Sequence, residues 1–427
     1  MCIRDRIITY YWPPAGGPGV QRWLKFVKYL PEFDIEPIVY CPENPSYPTL
    51  DSTLSDDLSD NITILKHPIR EPLRFLKLFF KTITKAYTKG LIPTASKQGI
   101  LDRFLIFIRG NFFIPDARIF WVKPSVDFLS DYISKYKIDT IITTGPPHSV
   151  HLIGMRLKAK HLLKWFSDFR DPWVDINYHH QLKLTKHAQK QHLMLEKRVL
   201  SKADHIIVTS VQTKLLFSNK TNQPISVVTN GFDDASTSKV KMDLNFTLTH
   251  IGFLSSQRNP AILWDVLSEL IHELTDFKEK FRLALVGTVS ADVINAINAS
   301  GLESYLDIIE TVSHFDAAKY QRKSQVLLLL EANTKAATYI IPGKLFEYVN
   351  AQRPIIAIGP QPSDITSILK ETNTGNYFKH SEREALKLHI TKLFIAFETK
   401  TLCVNSTGID RYSRRSCTQK LAKILRQ

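Results

Sequence analysis

The chain has 427 residues, too many for one ordinary core, so its length predicts two domains. Its content, 44% hydrophobic and 23% charged, is that of a soluble globular protein. A formal net charge of +15 asks for an acidic partner: nucleic acid, an anionic membrane surface or a phosphorylated substrate. The scattered cysteines Cys2, Cys41, Cys403 and Cys417 form no C-x-x-C pair, which argues for reduced thiols in a cytoplasmic protein and against a disulfide frame or zinc site. No apolar run approaches the roughly 20 residues of a membrane span, and no signal-peptide pattern is present.

The opening MCIRDR puts charge where the first strand of a parallel sheet should be apolar, leaving only IITYY as a strand signal. This predicts a start that has been lost or replaced. Next comes TYYWPPAGGPGVQR, Thr9 to Arg22, with three glycines and three prolines. Gly16, Gly17 and Gly19 allow backbone angles closed to other residues and close approach by another molecule. Val20, Trp23, Leu24, Val27 and Leu30 then recur at helical spacing. A strand, a glycine loop and a helix start together favour an anion or polar ligand; the alternative is a tight turn. GGPG lacks the G-x-G-x-x-G spacing, and no P-loop lysine follows.

Short apolar runs alternate with helical patterns along the chain: residues 36–40, 140–144, 163–169, 205–210, 225–230, 248–254, 281–287, 326–331 and 354–359 read as strands, and 151–161, 186–202, 261–275 and 343–351 as helices. This alternation predicts parallel sheets covered on both faces. Residues 65–123 depart from it. There Arg70, Arg74, Lys77, Lys81 and Lys85 share one helical face, beside Leu73, Leu76, Phe80, Ile83 and Tyr87. Such a helix suits an anionic membrane interface, with Arg74, Lys77 and Lys81 as contacts; the alternative is a helix packed on its own domain. The apolar face and the lack of any nucleic-acid-binding signature argue against nucleic acid.

A polar stretch at about 233–245 reads as a linker. The expected organisation is 1–235, a linker at 236–245, a second domain at 246–400, and a segment 401–427 whose last helix, 409–425, returns to the first domain. Both halves carry a strand–helix series, predicting two doubly wound domains.

Ligands in such folds bind beyond the carboxyl ends of strands. TTGPPHSVHLIG (143–154) and SDFRDPW (167–173) occupy such positions, presenting His148, Asp168, Arg170 and Asp171. DFRDPW is either a polar site or a salt-bridge knot, and no coherent ligand set supports a metal. TNGFD (229–233) marks a tight turn. In the second half, HIGFLSSQRNP puts Gly252 at a strand end and Arg258 before a helix, where a guanidinium can grip phosphate oxygens. Gly287 closes the next strand. In YIIPGKLFEY, Gly343 precedes a helix with Lys344 in its first turn and Glu347 one turn in. The helix dipole disfavours lysine there, which is understandable if a diphosphate is bound, with Glu347 accepting from sugar hydroxyls.

In order, these motifs (the glycine loop, GPPHS, DFRDPW, TNGFD, HIGFL with Arg258, LVG, PGKLFEY and the C-terminal GIDRYSRRSCTQKLAKIL) resemble glycosyltransferase family 4 over nearly the whole chain. The resemblance implies an α/β GT-B fold: two doubly wound Rossmann-like domains with an interdomain cleft and a C-terminal crossover helix. It implies a nucleotide-diphosphate sugar as donor, held by the C-terminal domain, and a saccharide or lipid-linked acceptor in the N-terminal one. Transfer would be retaining, without metal or cofactor, in surface polysaccharide synthesis at the cytoplasmic face of the membrane. Arg258 matches the family's phosphate-binding cation, Glu347 the second glutamate of E-x7-E, and Gly16 and Gly17 the loop that approaches the donor. Gly252, Gly287, Gly343 and Lys344 complete the expected donor site; Arg258, Lys344 and Asp168 are the expected catalytic groups; His148, Asp168, Arg170 and Asp171 face the acceptor. Two positions depart: Tyr339 stands where the first glutamate would be, and Phe253 where an arginine often follows the strand-end glycine. Lys344 is the candidate to supply that lost phosphate contact. A sugar-nucleotide epimerase and a non-catalytic saccharide- or membrane-binding protein are the alternative readings.

Overall fold

The structure, a computed structural model, describes residues 3–57, 62–71, 100–176, 179, 182–233 and 240–427. The chain divides into two compact units, Met1–Asn230 with Arg414–Gln427, and Gly231–Ser413.

The first unit is built on a seven-stranded parallel sheet: β1 (Ile3–Thr9), β2 (Ile35–Pro42), β3 (Thr63–His67), β4 (Thr140–Gly145), β5 (Lys164–Phe169), β6 (His205–Val208) and β7 (Ile225–Val227), in the order β3-β2-β1-β4-β5-β6-β7. Successive residues feed opposite cores, as a pleated strand requires. Ile141, Trp165 and Ile206 join a core with Trp121, Leu129 and Leu157. Ile142, Phe166 and Ile207 join one with Val20, Trp23, Leu24 and Val27. Helix Pro18–Tyr29 thus buries the stripe its spacing predicts. The same core takes Cys417, Leu421 and Leu425 from helix Arg414–Leu425, so the last helix does belong to the first sheet.

The second unit has a six-stranded parallel sheet: β8 (Phe246–Ile251), β9 (Phe281–Val286), β10 (Leu306–Ile309), β11 (Val326–Leu330), β12 (Ile355–Ile358) and β13 (Gly375–Phe378), in the order β10-β9-β8-β11-β12-β13. Leu328, Leu330, Ile356 and Ile358 face one core; Leu327, Leu329, Ile355 and Ala357 face the other. The strand order reverses between β1 and β4 in one sheet and between β8 and β11 in the other, and a doubly wound sheet opens a ligand crevice at such a point.

Four local expectations change. β3 and β10 are sheet edges, and β13 is the other edge of its sheet; all three are short and partly exposed, so none carries a continuous apolar run. β3 also takes the first residues of the segment at 65–123, whose residues 72–99 lie outside the described ones. β1 runs back through Arg4, Asp5 and Arg6, paired with Glu36, Pro37 and Ile38. Arg6 is buried with its guanidinium 5.0 Å from the Tyr132 ring centre, so the strand tolerates charge by stacking it on an aromatic face. Finally, 409–425 is a short turn, Ile409–Tyr412, then the helix Arg414–Leu425, separated by an extended Ser413.

Candidate functional site

In the second unit two glycines stand at neighbouring strand ends beside the sheet's reversal. Gly252 follows β8 at φ +107° and Gly287 follows β9 at φ +116°, conformations an L side chain rarely adopts. Gly252 N–H donates to Val286 O at 2.7 Å, and a Cβ on Gly287 would meet Gly252 O at 2.9 Å. A Cβ on Gly252 would stand 3.2 Å from the Lys344 ammonium. The bare backbone therefore admits Lys344, from the first turn of helix Lys344–Ala351, to the end of β8. Its Nζ donates to Ile251 O at 2.9 Å and lies 3.4 Å from His250 Nε2. His250 is buried with Nδ1 3.1 Å from Leu328 O, which fits a neutral ring with its proton on Nδ1 and a lone pair toward Lys344. Burial, then Lys344, holds its pKa far down.

Arg258 sits in the turn Ser256–Arg258, a third exposed, with Nη2 3.8 Å from the Glu331 carboxylate. Glu331 immediately follows β11 and is 4% exposed, and its Oε1 has no hydrogen-bond partner among the described residues. Burial pushes the Lys344 ammonium down to about 8, helped by the Arg258 charge and opposed by Glu331 and Glu347. Gly343 has an ordinary φ and open space where a Cβ would be, and no side chain caps the helix start. Glu347 is held on both oxygens: Oε1 lies 3.1 Å from His314 Nε2, and Oε2 accepts from Gln321 Nε2 at 3.0 Å. Tyr339 ends the turn Lys335–Tyr339 and is half-buried, while Phe253, beside Gly252, is exposed. The structure thus brings Arg258, Lys344, Gly252 and Gly287 together. Glu331 and His250 were not foreseen; each reads as part of an apolar strand run, and the signal was the one charged residue in VLLLLE and the one titratable residue in LTHIGF.

In the first unit the glycine loop is tied rather than free. Gly16 N–H donates to Thr49 O at 3.0 Å, and Gly17, at φ +99°, precedes the helix with open space around its Cα. A Cβ on Gly19 would strike the Arg170 guanidinium, which explains the third glycine. Arg170 donates to Gly19 O at 2.5 Å, to Gly145 O at 3.2 Å and to Pro146 O, so one side chain clamps the loops after β1 and β4. Asp168 is fully buried, and its carboxylate accepts from Arg22 (2.9 Å), Trp23 Nε1 (2.7 Å) and Thr144 Oγ1 (2.8 Å). Arg22 is itself buried and reaches Thr229 O at 2.9 Å, at the TNGFD turn. Of the two readings of DFRDPW, the salt-bridge knot describes Asp168, paired with Arg22, while Arg170 ties backbone carbonyls instead. His148 stacks on Trp173 with ring centres 4.8 Å apart, and burial holds it neutral. Asp171 is half-buried, with its carboxyl pKa raised by burial.

Arg74, Lys77 and Lys81 lie outside the described residues. The adjoining helix Ile100–Phe112 exposes Phe104, Phe107 and Phe112. Among the described residues no helix is long and apolar enough to cross a membrane, and no group of three or more His, Cys, Asp or Glu could hold a metal ion.

No protein-family model and no curated protein matches the chain. Solved structures do. Sucrose-phosphate synthase from Thermosynechococcus elongatus superposes with a TM-score of 0.66 at 13% identity, covering 100% of this chain and 98% of that one. HepE of Anabaena, in complex with UDP, gives 0.64 at 13% identity, covering 99% and 100%. The trehalose-6-phosphate synthase OtsA gives 0.63 at 12%, covering 99% of each. At such identities the likeness establishes the fold, and the fold is GT-B.

Proposed function

We propose that the chain is a glycosyltransferase that moves a sugar from a nucleoside-diphosphate sugar to a saccharide or lipid-linked acceptor, retaining and metal-independent, in surface polysaccharide assembly. The observation that carries this reading is the convergence of Arg258 and Lys344 on strand ends opened by Gly252 and Gly287. Two cations over bare backbone suit a diphosphate, and cations aimed at the charge that develops on a leaving group are a large term in group transfer. HepE with UDP-glucose, and an E. coli trehalose-6-phosphate protein with UDP-2-fluoro glucose, support a uridine nucleotide as the first donor to try.

In this reading the bond between the anomeric carbon and the diphosphate oxygen breaks with its electrons leaving on phosphate, where Arg258 and Lys344 meet them. Glu347, set by His314 and Gln321, accepts from ribose hydroxyls. His148, neutral, and Asp171 serve the acceptor, and Asp168 and Arg170 act as positioning residues. Glu347→Gln weakens UDP binding by about 1–3 kcal/mol if it accepts a hydroxyl. Titration calorimetry checks this, and unchanged affinity removes Glu347 from the site.

The test of the function is transfer or hydrolysis from UDP-, GDP- and dTDP-sugars, preceded by a thermal-shift screen with the nucleotides, since a ligand of the folded state raises the melting point. Failure with every donor favours the binding-protein reading. The basic, apolar pattern of 70–87 and the exposed phenylalanines of the next helix support an anionic membrane surface as partner. The triple variant Arg74→Glu, Lys77→Glu, Lys81→Glu is expected to leave anionic vesicles in a flotation assay; retention assigns that segment to packing instead.

A further inference from the structure

Glu331 has no task in the reaction as described, yet its carboxylate lies 3.8 Å from the Arg258 guanidinium proposed to meet the leaving group. Its backbone N–H donates to Ile358 O at 2.9 Å, fixing it at the carboxyl end of β11, next to the sheet's reversal. Gly359 presses on it from β12: a Cβ there would sit 3.0 Å from Glu331 Cβ. Its charged and titratable neighbours are few. From the turn Ser256–Arg258 comes Arg258, with 3.8 Å between guanidinium and carboxylate, and from helix Lys344–Ala351 comes Lys344. From β13, Tyr377 donates its hydroxyl to Pro360 O, and beyond the strand His380, kept neutral by burial, bonds the Glu331 backbone. β8 contributes neutral His250. One oxygen thus faces a guanidinium at long range, and the other is buried with no partner among the described residues.

A buried carboxylate stays ionised only while nearby positive charge offsets its lost hydration. Arg258 and Lys344 supply that charge, and they are the groups a diphosphate would claim. We propose that Glu331 is the proton-accepting counter-ion of the donor site: it pairs with Arg258 before the nucleotide arrives and takes a proton from solvent when the diphosphate engages that guanidinium. The inference rests on the donor-site reading above. The proton adds to a carboxylate oxygen, the negative charge there disappears, and no bond to carbon or phosphorus changes. Burial already raises the Glu331 pKa against the pull of both cations, in the direction this needs. Release of the nucleoside diphosphate then returns the proton, so binding tightens as pH falls.

The probe is UDP, titrated calorimetrically into the full chain at pH 6.5 in buffers of different ionisation enthalpy, which counts protons exchanged. Lys344, with its pKa at about 8, is already an ammonium at pH 6.5 and adds little uptake of its own; repeating the comparison in a Lys344→Arg background, where that position stays charged, removes that contribution altogether. Wild type is expected to take up about half to one proton more than Glu331→Gln, whose UDP affinity is about 3- to 10-fold tighter at pH 8 and less dependent on pH. Equal proton uptake with and without the carboxyl overturns the role of Glu331 while leaving the donor site standing. Loss of UDP affinity in Glu331→Gln overturns it too, by making the residue an ordinary ligand contact. If UDP, GDP and dTDP all fail to bind wild type, the donor-site reading falls and this inference with it. Infrared difference spectra of wild type give a second measurement that needs no variant: UDP is expected to raise the carbonyl band of a protonated carboxylic acid, and its absence overturns the proposal.

Discussion

Arg258→Ala lowers kcat/KM for sugar transfer about 100- to 1000-fold, or about 2.7–4 kcal/mol of transition-state stabilisation. It also weakens UDP binding and leaves the melting temperature close to wild type. The side chain is a third exposed and is paired only at 3.8 Å, so the fold depends little on it. Its loss bears on the leaving group, where charge grows as the glycosidic bond breaks. Arg258→Lys recovers part of the rate, because charge returns without the planar fork that matches phosphate oxygens. Steady-state kinetics with the donor found in the screen decide the matter, and an unchanged kcat/KM for Arg258→Ala removes the phosphate site from this strand end. The pH profile adds a check. Lys344, with its pKa pushed down to about 8, is an ammonium below that value and increasingly neutral above it. Nucleotide affinity therefore falls as pH rises through about 8, and Lys344→Arg abolishes that part of the decline.

Asp168→Ala destabilises the first unit by about 3–5 kcal/mol, because it leaves the buried Arg22 guanidinium without its counter-ion. It also strips acceptors from Trp23 and Thr144. For a unit of this size the drop in melting temperature is roughly 6–20 °C. Asp168→Asn keeps oxygen and shape but not charge, and falls between. The double variant Arg22→Met, Asp168→Leu recovers much of the loss, since a buried ion pair replaced by packed apolar groups is often neutral in stability. Chemical denaturation followed by the tryptophan signal distinguishes these cases. If Asp168→Ala melts like wild type but fails in transfer, the carboxylate serves chemistry directly and the structural assignment is wrong.

Most central strands were legible in the sequence from their apolar residues, since both of their faces are buried; the exception is the start of β1, where Arg4, Asp5 and Arg6 disguise it. β3, β10 and β13 were not, since an edge strand has one neighbour and needs apolar residues on only part of its surface. Arg258, Lys344 and Glu347 could be picked out because charge at a strand–helix join has few structural reasons to be there. Asp168 was picked out for the same reason, but its partner Arg22 lies 146 positions earlier, and one sequence gives no sign of that pairing. Glu331 was hidden by its place at the end of the apolar run 326–331, where it reads as the last residue of a strand. Arg170 and Gly19 belong together: the glycine makes sense only once the guanidinium that occupies its side-chain space is seen.

The return of Arg414–Leu425 to the first core sets an order on synthesis. The first core lacks Leu421 and Leu425 until the whole of the second unit has been synthesised, so residues Gly231–Ser413 can fold while an apolar gap still stands beside Val20 and Trp23. Removing Arg414–Leu425 therefore damages the core built from the earliest residues rather than the unit that directly precedes it in the chain.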